Sequence, residues 1–156
     1  MQAPVCDKED EMGNHHSLGS GLAIPRLIRQ LKDPDRSVRL QAAAALACLG
    51  KGAAPAVPAL AEALRDQSVQ VRKIAALALG EIGPTAREAV PALILALYDD
   101  HGGVRQRVAV ALGEIGAPEA VPALEVATHD PEEAVRRAAE GALAEIRQVV
   151  RRPQAA

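Results

Sequence analysis

The chain has 156 residues and a formal net charge of −2, which is long enough for one domain with its own core. Nearly half of the residues are apolar, and this excludes disorder throughout the chain. The apolar residues are mainly Ala, Leu, Val and Ile, and Tyr98 is the single aromatic residue. A chain with no excess of basic residues and almost no aromatic rings is a poor candidate for binding nucleic acid or stacking a flat cofactor.

Residues 1–21 are charged, contain glycine and serine, and show no sustained apolar period, so we predict a flexible N-terminal tail. No signal-peptide pattern opens the chain, and we expect no apolar run long enough to cross a bilayer. Cys6 and Cys48 lack CxxC spacing, which predicts two free thiols in a reducing compartment. We therefore expect a cytoplasmic protein with no membrane contact.

A sequence pattern then occurs four times, which predicts a repeat region over residues 22–150 and a C-terminal tail over residues 151–156. The prolines near the repeat starts are 33, 33 and 31 residues apart. A period in this range with constant internal spacing is typical of a solenoid. The repeats cover about residues 23–50, 56–83, 89–116 and 120–147.

Each repeat predicts a helix, a tight turn and a second helix. In the third repeat Val90, Leu93 and Leu97 lie at i, i+3 and i+7, on one face of a helix that begins near a proline. An acidic turn follows, a second apolar helical period comes next, and Gly116 ends it. The fold class is therefore all-α, with eight helices.

Small residues occupy equivalent positions in the second helices of all four repeats. They let neighbouring helices approach closely, and a larger side chain there would push the stack apart at a cost of about 1–3 kcal/mol. The two columns are Ala42, Ala75, Val108, Ala139 and Ala47, Gly80, Gly113, Ala144.

The repeated letters A-[IV]-P-x-L-(x)3-L, then D, then V-R-x-x-A-(x)3-L-(x)2-[IL]-[GR] resemble the HEAT repeat family. The resemblance is greatest to the short HEAT-like repeats first named from phycobilisome bilin lyases, and it covers about residues 22–149. It implies a right-handed α-solenoid of four HEAT-like repeats, with a concave face built by the second helices. Such arrays serve many unrelated partners, so the resemblance says little about function.

The resemblance also implies a ladder of Asp and Arg side chains that joins neighbouring repeats. The chemistry agrees, because guanidinium presents a rigid fork to a carboxylate. The alternative is a row of solvated arginines, worth about 0–1 kcal/mol per pair. The ladder residues are Asp33, Arg39, Asp66, Arg72, Asp99, Arg105, Asp130 and Arg136.

Some second-helix positions differ from repeat to repeat while the core positions do not. A fixed framework with one variable face is how a repeat protein encodes partner choice, although unconstrained surface gives the same pattern. Three of the variable positions are apolar and have charged neighbours, as in a protein interface. The predicted partner-binding residues are Lys73, Ile74, Leu77, Glu81, Gln106, Arg107, Val110, Glu114 and Arg137.

No catalytic residue, metal ligand or cofactor is predicted. His15 and His16 could supply zinc ligands with Cys6, but no matched second pair accompanies them. Cys48 has no histidine at helical spacing to activate it. The HEAT-like deoxyhypusine hydroxylase holds iron with His-Glu pairs, and no His-Glu dipeptide exists in this sequence.

We therefore predict a non-enzymatic scaffold or adaptor that binds another protein or a peptide segment on the concave face, and neither nucleic acid nor membrane. The alternative is a bilin-lyase-like or other enzyme-associated subunit that acts with a partner. Repeat four has Glu125 and Glu140 at outer positions, as a terminal cap requires. Repeat one has no such change, so we expect the tail or a second chain to cover its edge, the latter by self-association.

Overall fold

The computed structural model describes the backbone of residues 16–152 and the side chains of residues 23–152. Within that range the chain forms eight α-helices and no strand, and three 3₁₀ helices join successive repeats. The predicted all-α solenoid of four helix–turn–helix repeats is confirmed. The α-helices are α1 (His16–Gln30), α2 (Arg36–Leu49), α3 (Val57–Ala63), α4 (Val69–Ile82), α5 (Val90–Ala96), α6 (Gly102–Ile115), α7 (Val121–Ala127) and α8 (Glu133–Arg151). The 3₁₀ helices are Gly50–Ala56, Gly83–Ala89 and Pro118–Ala120.

The first helix of each later repeat begins at its proline. Pro58, Pro91 and Pro122 lie in the first turns of α3, α5 and α7, where the missing N–H has no helical acceptor. Repeat one differs, because Pro25 lies inside α1, which begins at His16 in the segment assigned to the tail. Residues 1–15 and 153–156 lie outside the described residues, and the division into tails and repeat region stays a prediction.

A repeated aspartate shapes each turn before a second helix. The carboxylates of Asp33, Asp66, Asp99 and Asp130 accept hydrogen bonds from the backbone N–H two residues later, at 2.8, 2.8, 2.9 and 2.9 Å. This contact is a local alternative to a helical hydrogen bond and favours a turn. In repeat one the N-terminus of α2 is capped by Asp35 and not by Asp33. The Asp35 carboxylate accepts a hydrogen bond from the Ser37 N–H at 2.7 Å.

Glycine ends three of the second helices because the backbone there needs a positive φ. Gly50, Gly83 and Gly116 have φ values of 51, 76 and 71°. Gly116 adopts the left-handed conformation typical of glycine after a helix, whereas Gly50 and Gly83 take strongly negative ψ values, a region essentially restricted to glycine. Repeat four has Arg147 instead of glycine, and α8 continues to Arg151.

The residues predicted to build the stack form the core. In repeat three, six apolar side chains on the inner faces of the two helices are at most 5% exposed: Val90, Leu93, Leu97, Val104, Leu112 and Ile115. No polar or charged side chain is buried among the described residues. The core is therefore held by apolar packing of small and aliphatic side chains.

The second helices pack side by side, and the first helices contact one another much less. Gly113 allows the closest approach, since a Cβ added there would lie 2.8 Å from the Ala142 Cα. The small-residue positions Ala42, Ala75 and Val108 are fully buried between the helices. Because the second helices approach more closely than the first helices, we infer that the array curves toward the second-helix side.

One segment, Arg36–Ala63, is long and apolar enough to cross a membrane by length and composition, contrary to our expectation. It comprises α2, the first 3₁₀ helix and α3, and the positive φ of Gly50 breaks it. Leu46 and Leu60 within it are fully buried in the core. One such segment is weak evidence for a membrane span, because core helices have the same composition.

The free-thiol prediction is wrong for Cys48, which is disulfide-bonded. The spacing of cysteines along a chain does not by itself reveal whether they form disulfides. Disulfides persist mainly in oxidising environments, so Cys48 no longer supports a reducing compartment. The prediction for Cys6 lies outside the described residues.

Candidate partner-binding face

Arginine and aspartate side chains join the four repeats along the turns. Arg39 Nε lies 2.8 Å from Asp66 Oδ2, and Arg39 Nη2 donates to Asp66 Oδ1 at 3.2 Å. Arg105 makes the same bidentate contact with Asp130, at 2.8 and 3.0 Å. Each pair joins two repeats, and the side chains are 15% exposed or less.

The middle pair has a slightly different geometry. Arg72 Nε lies 2.8 Å from Asp99 Oδ2, but at an angle outside hydrogen-bonding geometry. Arg72 Nη2 donates to Asp99 Oδ1 at 3.2 Å, so the pair remains both ionic and hydrogen-bonded. Three inter-repeat Arg–Asp pairs therefore connect the described array.

The same arginines also hold their own turns. Arg39, Arg72, Arg105 and Arg136 each donate from Nη1 to the backbone carbonyl of the turn aspartate in the same repeat, at 2.8 Å. Each of the first three thus ties its turn to the next repeat. Within the described residues Arg136 contacts only carbonyls of its own turn.

The electrostatics of these pairs favour the charged forms. The hydrogen bond from Arg105 is the main cause that holds the pKa of Asp130 below its ordinary value. The hydrogen bond to Asp66 likewise raises the pKa of Arg39. These groups are ionised at neutral pH and paired, so the arrangement is a structural connection between repeats.

The nine residues predicted to bind a partner all reach the surface of the second-helix layer. Ile74 and Leu77 on α4 and Val110 on α6 are half-buried, which leaves an apolar strip in the middle of the face. Lys73 is also half-buried. The exposed members of the set are Glu81, Gln106, Arg107, Glu114 and Arg137.

Three carboxylates at equivalent positions of α4, α6 and α8 line one edge of this face: Glu81, Glu114 and Glu145. We call them the acidic edge. Burial raises the pKa of Glu114 above its ordinary value, and the neighbouring Glu81 and Glu145 raise it further. Arg107 acts in the opposite direction but does not outweigh these causes.

The sequence profile of HEAT repeats matches residues 24–102 and 57–144, which together cover more than half of the chain. The chain belongs to the HEAT-repeat family. Comparison with curated proteins gave no match.

Solved structures resemble this HEAT-repeat chain over about four fifths of its length. A designed armadillo repeat protein in complex with the peptide (KR)4 has a TM-score of 0.70 and 24% identity, over 83% of this chain and 66% of that one. Human deoxyhypusine hydroxylase in complex with glycerol has a TM-score of 0.67 and 35% identity, over 80% of this chain and 43% of that one. The chain thus spans just under two thirds of the first and under half of the second.

A third solved structure matches along most of both chains. The complex of CpcE and CpcF of phycocyanin lyase from Nostoc sp. PCC7120 has a TM-score of 0.61 and 26% identity, over 83% of this chain and 81% of that one. The resemblance to HEAT-like repeats of lyase type is therefore confirmed. A designed repeat protein in complex with a peptide, a hydroxylase and a lyase complex thus all occur among these neighbours.

The first-helix layer exposes an apolar patch for which the sequence predicted no function. Leu95, Tyr98 and Val126 are 74, 67 and 59% exposed. An open hollow of about 690 Å³ lies beside Leu95 and Tyr98, and the ladder residue Arg72 lines it. The signal in the sequence was Tyr98 itself, the single aromatic residue, next to the turn.

The histidines that the structure describes have local contacts. His101 Nδ1 accepts a hydrogen bond from the Gly103 N–H at 3.2 Å and caps α6. His129 Nδ1 lies 3.3 Å from the Glu125 carbonyl. Among the described residues no three His, Cys, Asp or Glu side chains are grouped to hold a metal ion, and His15 lies outside them.

Proposed function

We propose that this HEAT-repeat protein is a scaffold or adaptor that binds a segment of another protein on its second-helix face. The supporting observation is the apolar strip of Ile74, Leu77 and Val110, half-buried in the middle of a charged face. Solvent-exposed apolar side chains with a polar rim are typical of protein interfaces. The surrounding framework is the same in every repeat, so this variable face is where partner choice is encoded.

The shape of the array supports the same face. The second helices contact one another more extensively than the first helices do, which supports their assignment to the inner side of the curve. An inner face surrounds a bound segment with several helices, so a short peptide contacts more than one repeat. The ladder lies along the turns and fixes the spacing of the repeats on which such a site depends.

A crosslinking experiment tests the location. A photo-crosslinking amino acid is placed at Leu77, and in a matched control at Leu95 on the first-helix layer. We expect the partner from the native cell to crosslink at position 77 and not at position 95. Preferential crosslinking at position 95 would place the partner on the opposite face.

A charge exchange then tests the contact itself. The variant Arg107→Glu with Glu81→Lys should weaken partner binding at least about tenfold while the circular dichroism of the helices stays unchanged. The matched control is Arg87→Glu with Glu119→Lys, an exposed pair 3.3 Å apart in the 3₁₀-helix layer. Binding that survives the first exchange would place the interface elsewhere.

The second candidate is a subunit of a lyase-type enzyme that acts with a partner chain. The match along 83% of this chain and 81% of the Nostoc protein favours it, because both chains have similar length and fold. Bilin and an acceptor protein are mixed with this chain, alone and with co-purified partners, and the absorbance of the bilin is followed. An absorbance shift that requires this chain supports the candidate, and an unchanged spectrum in every mixture contradicts it.

A further inference from the structure

We propose that the partner segment on the second-helix face is basic and amphipathic, with its basic side chains directed at the acidic edge of Glu81, Glu114 and Glu145. This inference rests on the proposed function and adds the chemistry of the partner. It is carried by three features of the acidic edge: its unpaired charge, its position on the helices, and the way the glycines seat it.

No ion pair within the described chain involves Glu81, Glu114 or Glu145, and the nearby Arg107 offsets the raised pKa of Glu114 only in part. The contrast is with the ladder, in which Asp66, Asp99 and Asp130 each face an arginine at 2.8 Å. The three glutamates lie on neighbouring packed helices and repel one another, as their effect on Glu114 shows. A bound cationic group would relieve this repulsion.

Two of the three glutamates, Glu81 and Glu114, also lie at helix positions that are unfavourable for folding. Glu81 and Glu114 are the penultimate residues of α4 and α6. The last carbonyls of a helix carry partial negative charge, so a carboxylate there destabilises the helix and a cation stabilises it. Local features that oppose stability without compensation are expected at functional sites. The acidic edge is therefore better explained by binding than by folding.

Glycines fix where the carboxylates lie. A Cβ added at Gly80 would meet the Glu114 carboxylate, and a Cβ at Gly113 would lie 2.7 Å from Glu145 Oε2. Glu114 and Glu145, two of the three carboxylates, thus each occupy the space over the glycine of the preceding helix. The row is held by the packing of the helices, which reduces the entropy lost when a ligand binds.

The spacing of the row sets the spacing expected in the partner. Packed helices lie about 8–10 Å apart, so neighbouring carboxylates recur at roughly that distance. A polyproline II segment rises about 3.1 Å per residue and presents the same side every third residue, which gives about 9 Å. Basic residues at i, i+3 and i+6 would therefore meet successive glutamates.

The apolar strip predicts the partner residues that lie between the basic ones. Leu77 and Val110 precede Glu81 and Glu114 by four residues, or about 6 Å along the helix. Apolar side chains that point from the segment toward the N-terminal ends of α4 and α6 would cover this strip. The expected motif is a basic residue, a small residue and an apolar residue, repeated.

The probes are synthetic peptides of defined sequence. The first is (Arg-Ala-Leu)4, the second is (Glu-Ala-Leu)4, and the third has the composition of the first with the arginines adjacent to one another. Binding to the full chain is measured by fluorescence anisotropy at two salt concentrations. We expect the first peptide to bind at least about tenfold more tightly than either of the others, with weaker binding at high salt.

Two triple variants separate the acidic edge from general charge. The test variant is Glu81→Gln, Glu114→Gln and Glu145→Gln. The matched control changes the net charge equally at exposed acids elsewhere: Glu88→Gln, Asp100→Asn and Glu125→Gln. We expect the test variant to lose at least about tenfold in affinity for (Arg-Ala-Leu)4 and the control less than about threefold.

The outcomes distinguish this inference from the proposed function. Equal losses in the two triple variants, or tighter binding of the glutamate peptide, overturn the basic partner. If Leu77→Ser abolishes binding of the native partner while the test variant binds it normally, the face is right and its partner chemistry is wrong. If neither variant affects the native partner, the proposed function fails as well.

Discussion

Gly113 offers the sharpest test of how the repeats are stacked. A Cβ added there would lie 2.8 Å from the Ala142 Cα and 3.0 Å from the Ala142 Cβ. Apolar carbon atoms pack at about 3.5–4.0 Å, so α6 and α8 would have to separate by roughly 0.5–1 Å. Because the obstacle at Ala142 includes backbone, rotation of a side chain cannot relieve it.

The expected cost of Gly113→Ala follows from two opposing terms. Overpacking lowers the free energy of unfolding by about 1–3 kcal/mol. Replacing glycine by alanine inside a helix raises it by about 1 kcal/mol, because alanine has the higher helix propensity. We therefore expect the free energy of unfolding to fall by about 0–2 kcal/mol relative to the parent. For a chain of this size that corresponds to a melting temperature lower by up to about 8 °C.

Gly141→Ala is the matched control, because Gly141 also lies inside a helix but no atom lies within 4 Å of its added Cβ. We expect it to stabilise the chain by about 0.5–1 kcal/mol. Both variants are compared with the parent by urea unfolding followed by circular dichroism at an unchanged m value. If Gly113→Ala is as stable as Gly141→Ala, the close approach of α6 and α8 is refuted.

Three further predictions concern the charged groups. Arg72→Ala should lower the free energy of unfolding in urea by about 1.5–3 kcal/mol, because it leaves the part-buried Asp99 unpaired. The control Arg87→Ala, which breaks an exposed pair, should lower it by less than about 1 kcal/mol. Equal losses in the two variants would contradict the structural role of the ladder. Glu114→Gln should raise stability at pH 7 by a few tenths of a kcal/mol, since the pKa of Glu114 is raised in the folded state and its ionised form is disfavoured there. That gain should vanish as the pH falls below the ordinary value of 4.5, and a gain that persists at pH 3 would refute the electrostatic reason. At pH values above the ordinary pKa of 3.8, Asp130→Asn should destabilise the chain by about 1–3 kcal/mol. The stability difference between variant and parent should shrink as the pH falls through the lower pKa that Asp130 has in the folded state. If thermal unfolding shows the same difference from pH 7 to pH 2, the charge of Asp130 is not responsible.

The face proposed to bind a partner was only partly predictable from the sequence. Internal variation among the repeats pointed to Glu81 and Glu114, because four aligned copies show which positions are fixed. It did not show that Glu114 lies over Gly80, since that contact joins two helices of different repeats. The exposure of Leu95 and Tyr98 was also missed, because an apolar residue on a helix is ordinarily assigned to the core.

The sequence alone determined the architecture. The sequence contains four copies with constant spacing, each with a proline at the first helix, and three of them have a glycine after the second. The apolar faces of such helices are buried by stacking each repeat on the next. The tertiary structure decided what depends on distance between repeats: which aspartate meets which arginine, how closely Gly113 lets α6 approach α8, and the line of Glu81, Glu114 and Glu145. These relations join residues about 25 to 35 positions apart, and no local pattern measures the separation of two helices.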